Sequence, residues 1–372
     1  MKKLTVKIIL FLLPVFLIMA IPAGVAYLTG ELSGIRTVIQ RQDKTQGLYG
    51  AAYSNSQALY KIEKTHQTQP SVLVLGTSRA MQLRSFFFET PFYNAGGGIY
   101  KLSDLQLFMN EAYNEGSGLP SLLILPLDQY FFNRSWVQAQ DTAFSIADVD
   151  ALTLHTLQQT AREIVAGRVT SSIVKRMLAG EEKNTGMTAI VHGDGFRTDG
   201  SYLYNRTIHS GTTPEQRFTE SYQRIEGGYN RFEYADVVYT PQLEVLASFL
   251  DYCRANHIHV IAFLPPYADA VWDRMRETGM YGYLDKLYGE LLPLFESRSY
   301  PLFDFSRMSS AGAPDSECID GFHGSEKTFL RTTIIMARHD SIMRIHTDTV
   351  RLNAMLQATE GHFLVQPPDD TK

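Results

Sequence analysis

Cysteine is almost missing from this chain: Cys253 and Cys318 are the only two in 372 residues. Two thiols cannot build a disulfide framework, and neither has the ligand spacing of a metal site, so only a single Cys253–Cys318 bridge is left open. Surplus charge is missing too. The 34 Lys and Arg stand against 39 Asp and Glu, a net charge of −5. No basic block or aromatic-interleaved Lys/Arg stripe appears, which removes nucleic acid from the expected partners. Nor is there an internal repeat or a low-complexity tract, and nothing points to a metal or nucleotide cofactor. What the chain has is 44% hydrophobic residues, ordinary for a globular protein with a sizeable core.

One long apolar run does occur. Lys2, Lys3 and Lys7 flank residues 8–28, which at 1.5 Å per helical residue are long enough for a hydrocarbon core of about 30 Å. The lysines favour the cytoplasmic side, placing the rest of the chain in the periplasm or outside the cell. A cleaved signal peptide is the rival, since Gly24-Val25-Ala26 offers small residues at a cleavage position. The run exceeds the usual 7–15-residue apolar region of a signal peptide, which favours an uncleaved transmembrane anchor over residues 1–29.

Residues 30–69 read as a polar stalk with a helical piece near 53–66. Beyond it, short apolar runs at 72–75, 122–127, 260–264 and 301–305 are candidate buried strands. Helical periodicity appears at 102–113, 241–256, 281–295 and 325–338. Strand–helix alternation predicts a parallel sheet covered on both faces, over residues 70–356. The rhythm is lost between 130 and 240, which reads as an insertion at the carboxyl edge of the strands, where open α/β sheets bind ligands. Its segment HGDGFRTDGSYLYNRT, residues 192–207, carries two Asp-Gly turns. Such turns are commonly plain surface loops, but this position makes Arg197 and Tyr202 candidates to line an acceptor pocket. Residues 357–372 read as a flexible tail.

Chemistry concentrates in two turns. VLVLGTSR, residues 72–79, places Ser78 just after the first strand on a Gly-containing turn, where a hydroxyl either caps the next helix or serves as a nucleophile. ECIDGFHGSE, residues 317–326, sets Asp320 three residues before His323 ahead of the last helix. That spacing lets the carboxylate orient Nδ1 while Nε2 faces a serine.

These blocks resemble the SGNH (GDSL-like) hydrolases and acyltransferases, over most of residues 70–340. Gly76-Thr77-Ser78 matches the nucleophile block, FYNAGGGIY the glycine block after strand two, and Asp320 with His323 the last block. The membrane-anchored branch is closer still, the extracytoplasmic proteins of the alginate-acetylation and teichoic-acid D-alanylation type. The resemblance implies a flavodoxin-like three-layer parallel sheet with the insertion after its third strand. It implies a triad of Ser78, Asp320 and His323, with an oxyanion hole from the Ser78 amide and Gly96, Gly97 or Gly98. It further implies an acylated glycan or similar polymer as substrate, no cofactor, and a membrane-bound O-acyltransferase as a partner. Asn94 and Asn133, in the matched blocks, are taken as substrate-facing.

The third block departs from the family. Where an Asn side chain usually donates to the oxyanion, LILPLDQYFFN carries Asp128, and an ionised carboxylate cannot donate. Either Ser78 and one glycine suffice, or Gln129 or Asn133 turns in. Arg79 beside the nucleophile also needs a partner, and strand three would bring Asp128 to it. A serine acyltransferase or esterase is the expected function. A silent SGNH-like scaffold that binds glycan or a partner protein is the alternative.

Overall fold

The computed structural model describes residues 2–54, 57–113, 116, 118–140, 144, 146, 147 and 152–367. Inside its first helix, side chains 2–4, 6–10, 12 and 14–18 fall outside that description. Five strands, β1 (Val72–Gly76), β2 (Phe92–Gly96), β3 (Leu122–Pro126), β4 (His259–Leu264) and β5 (Leu302–Asp304), form an all-parallel sheet in the order β2-β1-β3-β4-β5. Four of them lie on the apolar runs. The strand those runs omit is β2, because FYNAG carries an Asn and a Gly and little β-branched weight.

Besides the N-terminal helix α1 (Lys2–Thr29), the main helices are α2 (Asp104–Ala112), α3 (Pro241–Ala255), α4 (Tyr283–Glu296) and α5 (Glu326–His339). Side chains alternate across the sheet with period two. Leu73, Leu75, Leu123, Leu125 and Val260 pack into one core with α2, α3 and α4. Val74, Leu122, Ile124, Ile261 and Phe263 pack into a second with α5 and the helix Thr349–Ala358. Each such fully buried apolar side chain contributes about 1.5–3 kcal/mol. Helices therefore cover both faces of a three-layer α/β arrangement. All five carboxyl ends lie on one edge, and the chain passes from β1 to β2 on one side and then crosses back to β3 on the other, which makes the gap between β1 and β3 a switch point.

The chain divides into two compact units, residues 61–145, 199–201 and 207–372, which hold the sheet, and residues 1–60, 146–198 and 202–206. The insertion is thus split, its first half grouping with the N-terminus. The part of the expected stalk in that smaller unit, residues 30–60, is folded. Helix Ile35–Thr45 buries Ile35, Val38 and Ile39, and the buried Glu31 carboxylate accepts from the amides of Ala52 (2.8 Å), Tyr53 (3.0 Å) and Met187 (2.6 Å). Among the described residues no helix is long and apolar enough to cross a membrane. The last turns of α1 are covered by protein, with Val25 and Ala26 buried and Leu28 packed on Ile173, Met177 and Ile190.

The expected flexible tail is fastened as far as it is described. Val365 donates its amide to Glu326 Oε2 at 3.0 Å, and Lys327 Nζ donates to the carbonyls of Thr359 and Gly361, both at 2.9 Å. Residues 368–372 lie outside the described residues. Cys253 and Cys318 are free and buried, and burial raises both thiols above their ordinary range, so the open bridge is not formed.

Candidate active site

Past β1 the chain makes only a three-residue 3-10 turn, Ser78–Ala80, rather than a helix. Thr77 takes the capping role. Its hydroxyl accepts from the Arg79 amide at 3.3 Å and donates to Asp128 Oδ2 at 2.6 Å. The half-buried Ser78 is therefore relieved of capping, and its Oγ lies 3.0 Å from His323 Nε2. On the far side of the ring, His323 Nδ1 lies 2.7 Å from Asp320 Oδ2. Asp320 Oδ1 accepts the amides of Phe322 (3.0 Å) and His323 (2.8 Å), which fixes the loop that presents the imidazole. Ser221 clamps the Asp320 carbonyl at 3.0 Å, and the Ser325 hydroxyl starts α5 immediately after the loop by accepting from Thr328.

Burial pushes the Asp320 carboxyl upward, but the neighbouring His323 and the hydrogen bonds from its ring and from two amides outweigh that and hold Asp320 down at about 2, against 3.8. A carboxyl depressed on folding adds stability that is fully present above its unfolded value and is lost as pH falls through its folded one. Wild-type protein should therefore lose stability between about pH 4 and pH 2, and Asp320→Asn should remove that part of the slope. Chemical denaturation at a series of acid pH values measures it. A slope unchanged by Asp320→Asn would mean that His323 does not hold the carboxylate ionised.

Behind the serine lies Arg79, 1% exposed. Its Nη1 meets Asp128 Oδ1 at 3.2 Å and Gln129 Oε1 at 2.7 Å, Nη2 donates to the Pro265 carbonyl at 2.9 Å, and Nε donates to the Phe322 carbonyl at 3.0 Å. The guanidinium also lies 4.1 Å from the Tyr267 ring centre and 4.5 Å from that of Phe322. Asp128 is fully buried and accepts from Arg79 and Thr77. Gln129 Nε2 is engaged with the Pro265 carbonyl and Ser306 Oγ, so it does not turn in as a donor.

The oxyanion hole expected of the glycines is not formed. The Gly96 amide donates to Asn94 Oδ1 at 2.8 Å, that of Gly97 to the Gly76 carbonyl at 2.8 Å, and that of Gly98 to the Ala95 carbonyl at 2.9 Å. These glycines answer to packing. Gly97 has φ +82°, and a Cβ on Gly96 would lie 2.7 Å from Asn94 Oδ1. Among the described residues no acceptor meets the Ser78 amide.

Asn94 and Asn133 are also structural here. Asn94 is fully buried and donates to the carbonyls of Ala80 (2.9 Å) and Leu83 (2.8 Å), tying β2 to the Ser78 turn. Asn133 caps a helix by accepting from the Trp136 amide and donates to the Glu233 carbonyl at 2.6 Å. Arg197 and Tyr202 belong to the smaller unit. Tyr202 lies against Phe196 and Tyr204 there, and burial pushes its hydroxyl up to about 12.

Of the two hydroxyls that could cap, Thr77 does so, and the contributor that escaped the sequence reading is the Phe322 carbonyl as an acceptor for Arg79. Tyr267, in the loop after β4, also stacks on Arg79. Among the described residues no group of three or more His, Cys, Asp or Glu is placed to hold a metal ion. No protein-family model, curated protein or solved structure matches this chain.

Proposed function

We propose that the chain is a serine acyltransferase or esterase of the SGNH type, its sheet in the flavodoxin-like order 2-1-3-4-5, acting outside the cytoplasm on an acylated cell-surface or secreted polysaccharide. The observation that carries the reading is the relay from Ser78 Oγ through His323 to Asp320, with contacts of 3.0 Å and 2.7 Å, at the switch point of the sheet. With Nδ1–H donating to Asp320, Nε2 is left unprotonated and accepts the Ser78 proton as Oγ bonds to the acyl carbon. His323 then returns that proton to the leaving oxygen as its bond to the acyl carbon breaks. An acceptor hydroxyl, or water, attacks the acyl-serine by the same steps in reverse, and transfer prevails where the acceptor is held close. The Lys-flanked apolar N-terminus supports export, and a membrane-bound acyltransferase fits as the donor-side partner.

A scaffold without activity is the second reading, favoured by the engaged amides of residues 96–98. A fluorophosphonate probe separates the two. Its phosphorus is attacked by an activated serine oxygen and fluoride leaves. Labelling of wild type but not of Ser78→Ala is expected, and a wild-type protein that stays unlabelled would favour the scaffold.

A further inference from the structure

Arg231 stands apart from the other arginines near the site. It lies in the loop after helix Thr219–Gly227, in the left-handed backbone region at φ +78°, directly after Asn230 at φ +54°. Two successive residues with side chains in that region are strained and persist only where the surroundings force them. Those surroundings are visible. Glu233 Oε1 accepts the Arg231 amide at 3.3 Å, Asn133 holds the Glu233 carbonyl, and the buried Phe232 packs on Tyr267 and Phe322.

The guanidinium held in this way is half-buried, and among the described residues it makes no hydrogen bond and no ion pair. It rests on two rings, its carbon 5.8 Å from the centres of both Tyr130 and Phe322. Both rings wall the triad. The Tyr130 hydroxyl reaches Thr77 Oγ1 at 3.4 Å, one residue before the nucleophile, and the Phe322 ring lies 5.0 Å from that of His323. The Glu233 carboxylate attracts this partly buried cation without bonding to its guanidinium, so the donors stay open for an acceptor that the resting protein does not bring to them. The reaction proposed above creates one, while the glycine amides, Asp128 and Gln129 are all committed elsewhere.

We infer that Arg231 is a catalytic residue, donating with the Ser78 amide to the oxyanion of the tetrahedral intermediate in place of the donors that residues 96–98 and 128 do not supply. This rests on the serine-acyl reading. As Ser78 Oγ bonds to the acyl carbon, the carbonyl π pair moves onto oxygen and the guanidinium moves off its rings to meet it. When the intermediate collapses the pair returns, the leaving oxygen departs with the proton from His323, and the guanidinium falls back.

Turnover of the neutral ester 4-nitrophenyl acetate by Arg231→Gln and Arg231→Lys tests this. Arg231→Gln should lower kcat by about 10²–10³ with little change in KM, and Arg231→Lys should recover part of the loss. Because the variants disturb a strained loop, the second measurement uses the wild type: a crystal structure after phosphonylation of Ser78 should place a guanidinium nitrogen about 3 Å from the phosphoryl oxygen. An unchanged kcat in Arg231→Gln, or a guanidinium still on Tyr130 and Phe322 in the adduct, overturns the inference and leaves the serine reading standing. A wild type that is neither phosphonylated nor active overturns both.

Discussion

His323→Ala, with the fold intact, should lower turnover of an activated ester by about four to six orders of magnitude, and Ser78→Ala should do the same. The two side chains act as one unit. Without the imidazole the hydroxyl keeps its proton, and without the hydroxyl the imidazole has nothing to accept. The double variant should therefore be hardly slower than either single one. Asp320→Ala should lose less, because the Ser78–His323 contact at 3.0 Å remains while only the orientation of the ring and the partner of its Nδ1 are removed. Steady-state kinetics on the four proteins, with circular dichroism to verify folding, measures this. Wild-type turnover in a folded His323→Ala protein would contradict the triad.

The second large effect is on stability. Arg79 and Asp128 are 1% and 0% exposed and in contact at 3.2 Å. Removing one member of such a buried pair leaves the other charge uncompensated, at a cost of about 3–5 kcal/mol, so Arg79→Ala and Asp128→Ala should each shift the urea midpoint strongly. Removing both leaves no orphaned charge, and the double variant should lose much less than the sum. The arginine should cost the more of the two. Besides Asp128 it holds the Gln129 side chain and the carbonyls of Pro265 and Phe322, and so joins the nucleophile turn to the loops after β3 and β4 and to the loop of His323. A loss below about 1 kcal/mol in either single variant, or strict additivity, would show that the pair does not organise the site.

The meeting of Ser78, His323 and Asp320 was legible in the sequence because it uses short local patterns, a strand ending in Gly-Thr-Ser and an Asp-x-x-His before a helix. Arg79 and Asp128 were legible as a pair because both departed from expectation at positions that adjoin in a parallel sheet. The glycine loop misled. Three successive glycines suggest room for a ligand, but each also carries an amide, and which acceptor that amide finds depends on strand pairing: Gly97 reaches the Gly76 carbonyl across the β1–β2 edge. Arg231 gave no sequence signal at all, since its left-handed backbone and its two supporting rings are assembled by tertiary contacts.

The central claim is that Ser78 carries the acyl group. Rapid quenching of the wild type with an activated acyl ester, followed by digestion and mass spectrometry, tests it most directly. The account predicts one added acyl group on the peptide containing Ser78, absent from Ser78→Ala and appearing far more slowly in His323→Ala. An acyl group on another residue, or a turnover in which Ser78 is never acylated, would contradict it.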